Sequence, residues 1–106
     1  MSKVLLKDKG NTSVYYIKIS SEKVAVYHNT TIARYNYETD TITLNTGGWY
    51  TSTTKQRMNQ FMDETRIPLR VFQKNYEWYV YNHESDKTIP FTDNQEIQVV
   101  RTGGVT

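Results

Sequence analysis

A chain of 106 residues with a formal charge of +2 and no cysteine suits a single domain with one core, and it excludes a disulfide framework, a thiol nucleophile, an iron–sulfur cluster and a thiolate zinc site. The mild positive charge permits nucleic acid as a partner but falls short of the dense basic face of a dedicated binder. No apolar run approaches the roughly 20 residues that span a bilayer, and the apolar block in Met1-Ser-Lys-Val-Leu-Leu-Lys7 is too short for a secretory signal, so a cytoplasmic protein with no membrane partner is expected.

From the amino terminus, alternation of period two recurs in short blocks separated by turn residues, the pattern of an antiparallel sheet with one buried face. Val4 to Lys7 reads as a first strand, ended by Asp8-Lys9-Gly10-Asn11. Val14 to Ile19 reads as a second, with Tyr15, Ile17 and Ile19 on one face. Ser20-Ser21-Glu22 turns the chain into Lys23 to His28, followed by Thr31 to Tyr37 and then, past Glu38-Thr39-Asp40, by Thr41 to Asn45, which offers Ile42 and Leu44 to the core. Nine tyrosines, two tryptophans and three phenylalanines put aromatic bulk where aliphatic residues usually stand, as half-buried strand positions allow.

The strand texture breaks once, at Thr46-Gly-Gly-Trp-Tyr-Thr-Ser-Thr-Thr-Lys-Gln-Arg-Met-Asn-Gln-Phe-Met62. The hydroxyls of Thr51 to Thr54 can cap backbone amides, and Thr53 with Gln56 has capping-box spacing, so a helix over about 52–64 is expected to start near Ser52 or Thr53. Met58, Phe61 and Met62 at i, i+3 and i+4 form one apolar stripe, and Pro68 is the expected stop. Lys55 and Arg57 fall early and Asp63 and Glu64 late, the reverse of what the helix dipole favours. After the helix, Leu69 to Lys74, Glu77 to Asn82, Thr88 to Phe91 and Glu96 to Val100 read as further strands, with His83-Glu84-Ser85-Asp86 as a polar turn. The expected fold is α+β: a curved antiparallel sheet of about six to eight short strands packed on one central helix. Residues 1–100 form the single domain and 101–106 a flexible tail; the tail's arginine and two glycines resemble the ends of ubiquitin-like modifiers, but two residues follow them.

Candidate chemistry is sparse. Gly47-Gly48, four hydroxyls, Lys55 and Arg57 gather at the helix start, where free amides and the dipole favour an anion, yet no Gly-Lys-Ser/Thr closes a phosphate loop. On Glu77-Trp-Tyr-Val-Tyr-Asn82 one face carries Tyr79 and Tyr81; if outward, they offer stacking surfaces for bases, with Arg34, Lys18 and Lys74 for phosphates. His28, His83, Glu84 and Asp86 lack ligand spacing, so no metal is expected. No nucleophile elbow or acid–base pair emerges, so no enzyme activity and no cofactor are expected.

Four segments together resemble a known family: Asn29-Thr-Thr-Ile-Ala-Arg34, Trp49-Tyr-Thr-Ser-Thr-Thr-Lys-Gln-Arg-Met-Asn59, Val71-Phe-Gln-Lys-Asn-Tyr-Glu-Trp-Tyr-Val80, and Ile89-Pro-Phe91 with Asp93. They are similar to a family of small proteins encoded mainly by tailed bacteriophages, over about residues 28–100. Its most distinctive element is Thr-x-Thr-Thr-x-x-Arg-x-Asn, here Thr51 to Asn59; the strands up to about Val26 lie outside the resemblance. A phage accessory protein in the host cytoplasm is implied, with no activity, substrate or binding residue attached.

Two readings of function follow. In the first, the protein binds a host protein or an antiviral defence complex stoichiometrically and inhibits it, through Trp49, Tyr50, Thr53, Lys55 and Arg57 at the helix start with Tyr79 and Tyr81; of these, Trp, Tyr and Arg are types enriched at interface hot spots. In the second, nucleic acid or a nucleotide signal binds, with phosphate at the helix start and bases on the tyrosines. Pairing of exposed strand edges would also give a homodimer.

Overall fold

The structure is a computed structural model that describes residues 3–101. Of the expected tail over 101–106, residues 102–106 lie outside the described residues, and only Arg101 is described. Among the described residues, nine strands and one helix succeed one another: β1 (Lys3–Lys9), β2 (Thr12–Ile17), β3 (Glu22–Tyr27), β4 (Thr30–Asn36), β5 (Thr41–Leu44), α1 (Ser52–Glu64), β6 (Leu69–Lys74), β7 (Glu77–Asn82), β8 (Lys87–Pro90) and β9 (Gln95–Gln98). The fold is α+β, but the expected single sheet is two. A six-stranded sheet runs β1-β2-β3-β4-β5-β9 and a three-stranded sheet runs β6-β7-β8, antiparallel throughout. The difference arises at β9, which leaves its sequence neighbour β8 to pair with β5, setting Ile42 opposite Ile97.

The first five strands form the expected meander. β2 ends at Ile17 rather than Ile19, which is 88% exposed in the following turn. β9 stops at Gln98, and Val99 instead donates its N–H to the Asp40 carbonyl at 2.9 Å. His28-Asn29 and Asn75-Tyr76 are two-residue hairpin turns with positive φ at both positions, the turn geometry whose twist matches paired strands. Register shifts at Leu6, so that Lys7 pairs with Val14 and stands on the helix side of the large sheet. A bulge of this kind re-aims a side chain, and here it brings Lys7 Nζ to 2.6 Å from Glu64 Oε2 at the end of α1.

Helix α1 spans the expected residues, but its cap is Thr51, whose hydroxyl accepts from the Thr54 N–H at 3.2 Å, rather than Thr53. Pro68 is not what ends it. Arg66 adopts φ of 60°, and the N–H groups of Arg66 and Ile67 bond back to the carbonyls of Asp63 (3.2 Å) and Met62 (2.8 Å), a Schellman turn that satisfies carbonyls the helix leaves open. No acidic residue lies in the first turn and no basic residue in the last. The cations missing from the C-terminal end come from the sheets instead, Lys7 to Glu64 and Arg70 to Asp63 at 3.8 Å.

Met58, Phe61 and Met62 face inward and join Val14, Ala25, Ala33, Ile42 and Leu44 of the large sheet with Leu69, Val71, Trp78 and Val80 of the small one in a single core. Full burial of each helix side chain contributes about 1.5–3 kcal/mol, and this docking orders a helix that would be marginal alone. Arg101 closes the fold: its guanidinium donates twice to Asp40, at 3.1 Å each, and once to the Arg66 carbonyl at 2.9 Å. The Tyr35 hydroxyl also donates to Asp40.

Candidate binding surface at the helix start

The loop before α1 is fastened from below. Thr46, fully buried, donates its N–H and its hydroxyl to the two carboxylate oxygens of Asp93 at 2.7 and 2.9 Å, and the Tyr50 hydroxyl donates to the same carboxylate at 3.2 Å. Gly47 has φ of 64°, and a Cβ there would come within 2.7 Å of the Thr30 side chain, so only glycine fits without a shift. The next N–H groups are also used, Gly48 donating to the Thr46 hydroxyl at 3.0 Å and Trp49 to the Thr46 carbonyl at 3.1 Å.

That anchored loop holds Trp49 with 62% of its surface exposed. Its ring borders an open groove of about 510 Å³ shared with Tyr27, His28, Thr51, Thr53 and Thr54. The rings of Tyr27 and His28 lie 4.3 Å apart, set at the groove by the tight turn that follows β3. Thr51 serves the Thr54 N–H, while the N–H groups of Ser52 and Thr53 have no acceptor among the described residues, as expected for the first turn of a helix.

Tyr50 turns toward the small sheet. Its ring meets Trp78 edge-on at 5.0 Å and Phe91 at 6.3 Å. Lys55 covers the same cluster, its Nζ 5.3 Å from the Trp78 ring centroid and 2.9 Å from Gln73 Oε1. Arg57 runs the other way: its guanidinium stands 5.9 Å from the Tyr27 ring, and its buried Nε borders a small cavity with Lys7, Thr12 and Gln60. Tyr79 and Tyr81 lie apart from all of these. They occupy the face of β7 opposite the buried Trp78 and Val80, with Tyr79 stacked on Phe72 at 5.5 Å.

Of the seven residues singled out from sequence, then, Trp49 and Thr53 share a groove, Tyr50 and Lys55 flank it on the small-sheet side, Arg57 meets it only through the Tyr27 ring, and Tyr79 and Tyr81 stand elsewhere. Tyr27, His28 and Asp93 complete the surface. The adjacent His28 and Asn29 at a strand boundary carried a turn signal, whereas nothing local tied Asp93 to Thr46, 47 residues away. The surface can supply aromatic contact area, hydroxyls and two helix amides. No helix among the described residues is long and apolar enough to cross a membrane.

The model of the family described as Kyanoviridae Gp96 protein, a phage protein family, matches residues 3–98. The chain belongs to that family, and the match takes in the amino-terminal strands that the sequence resemblance left out. No curated protein and no solved structure matches the chain.

Proposed function

We propose that this member of a phage protein family acts without catalysis, in the host cytoplasm, by stoichiometric binding and inhibition of a host protein or a component of an antiviral defence complex. The helix start is the contact surface. The observation that carries this reading is Trp49, a large ring left 62% exposed beside a groove, on a loop that hydrogen bonds from Thr46 and Tyr50 tie to Asp93. A pre-positioned aromatic residue is the usual core of an interface hot spot, because little conformational freedom is left to lose on binding.

Affinity capture from infected cells with the tagged protein and its Trp49→Ala variant tests it. A single protein recovered in near-equal amount with the wild type, and at least about tenfold less with the variant, is expected, since an aromatic hot spot contributes roughly 2 kcal/mol or more. Equal recovery by both proteins would remove the helix start from the interface. Recovery of nothing by the wild type would remove the binding reading itself.

A further inference from the structure

The outer face of the small sheet alternates cations with aromatic rings. β6 contributes Arg70, Phe72 and Lys74 to that face, and β7 contributes Tyr79 and Tyr81, with Phe72 opposite Tyr79 and Arg70 opposite Tyr81. Phe72 and Tyr79 are near parallel, their planes 25° apart and their centroids separated by 5.5 Å. They border an open depression of about 400 Å³ together with Lys74, Asn75 and Thr88. Arg70 and Lys74, one on each side of Phe72, stand about 13 Å apart on a strand that rises about 3.3 Å per residue, a spacing that two phosphates of an extended strand can meet. Glu77, opposite Lys74, is the one carboxylate in those rows; at their margin Asp63 pairs with Arg70 at 3.8 Å and Asp86 accepts from the Tyr81 hydroxyl at 2.8 Å, and a bound phosphate would compete with Asp63 for Arg70.

A second observation lies at the tip of the hairpin. Tyr76 is 95% exposed and holds φ of 68° at the second position of a tight turn, a place where glycine is strongly preferred. Its ring gains no burial in return for that backbone strain. Strain without local compensation points to a role outside the fold.

We propose that this face, distinct from the helix start and independent of its role, binds single-stranded nucleic acid. Bases stack on Phe72, Tyr79 and Tyr76, and Arg70 and Lys74 neutralise backbone phosphates. Rings on an open sheet accept any base, so the preference is for single strands over duplex rather than for a sequence.

Fluorescence anisotropy with labelled oligothymidylate, oligouridylate and a DNA duplex, titrated with the full-length protein at low salt, provides the test. Both single strands should bind saturably and the duplex at least several-fold more weakly. The logarithm of the affinity should fall with that of salt at a slope near −1.4, from about 0.7 for each of two phosphate contacts on a single strand. Tyr76→Gly relieves the turn and should leave the melting temperature equal or higher while weakening binding about fivefold or more, as loss of one stacking ring does. Phe72→Ala with Tyr79→Ala should weaken it further. No saturable binding into the high micromolar range, equal affinity for duplex, or unchanged affinity in Tyr76→Gly together with the double variant would each overturn the proposal.

Discussion

Asn59 pairs with Val71 as a strand would. Its carboxamide oxygen accepts the Val71 N–H at 2.7 Å, and its nitrogen donates to the Val71 carbonyl at 3.0 Å. Because β6 lies at the edge of the three-stranded sheet, the helix thereby satisfies backbone groups of an edge strand and fixes its own position along that sheet.

Replacing Asn59 by Ala is expected to destabilise the protein by about 2–3 kcal/mol, since two partly buried backbone groups lose their partners at once. In a domain of this size that lowers the melting temperature by roughly 10 °C or more. Thermal unfolding followed by circular dichroism checks this, and a shift of only a degree or two would mean that water replaces the carboxamide without cost.

Asp93→Ala should free the loop rather than unfold the core. The buried Thr46 N–H loses its acceptor, an expected cost of about 1–3 kcal/mol, and the Gly48 and Trp49 amides, both bonded to Thr46, should exchange hydrogen faster than in wild type. Unaltered exchange at those two amides would show that Gly47 alone shapes the loop.

Two carboxylates make stability depend on acid. The hydrogen bond from Lys7, aided by its charge, holds Glu64 below its ordinary value of 4.5 against the effect of partial burial. Burial acts to raise Asp40, but hydrogen bonds from Arg101 and Tyr35 together outweigh it and hold that carboxyl below 3.8. A folded-state value below the unfolded one means that the unfolded chain binds more protons between the two, so stability rises with pH across that window. The contribution is full above each ordinary value and is lost as pH falls through the folded one. Lys7 and Glu64 are 32% and 43% exposed, which limits their pair to about 1 kcal/mol or less. Glu64→Gln should therefore lower the urea midpoint slightly at pH 7 and leave it equal to wild type once both are acidified well below 4.5; an equal deficit at both pH values would contradict an ionic origin.

Arg66→Gly should leave stability unchanged or raise it by up to about 1 kcal/mol. Glycine adopts the left-handed conformation without the Cβ clash that a side chain incurs, and the entropy lost on folding offsets part of the gain. Arg66 contributes its carbonyl, not its side chain, to Arg101, so that bond survives. Chemical denaturation measures the difference, and a clear loss of stability would reveal a contact made by the Arg66 guanidinium.

Local patterns carried most elements of the fold. The Met58, Phe61 and Met62 stripe is buried as its spacing required, and strands β3 to β7 fall within a residue or two of where alternation put them. Pairing between distant strands was not legible, because alternation marks a strand without naming its neighbour; hence two sheets rather than one. The side-chain latches escaped for the same reason: nothing near Asn59 or Asp93 in sequence points to Val71 or Thr46. At the surface, alternation separated Tyr79 from Trp78 but left open which was buried. The buried Trp78, covered by Tyr50 and Phe91, settles that choice.

The partnership between β5 and β9 joins positions 55 residues apart, as at Ile42 and Ile97, whereas the hairpins before it close over a few residues each. Chain closure over so long an interval is entropically slow. During synthesis the amino-terminal meander is thus expected to collapse early with one flank bare, and the native topology to lock only after the last strand has left the ribosome. Pulse-labelled exchange during refolding should find the Ile42 and Leu44 amides protected later than those of β2 and β3.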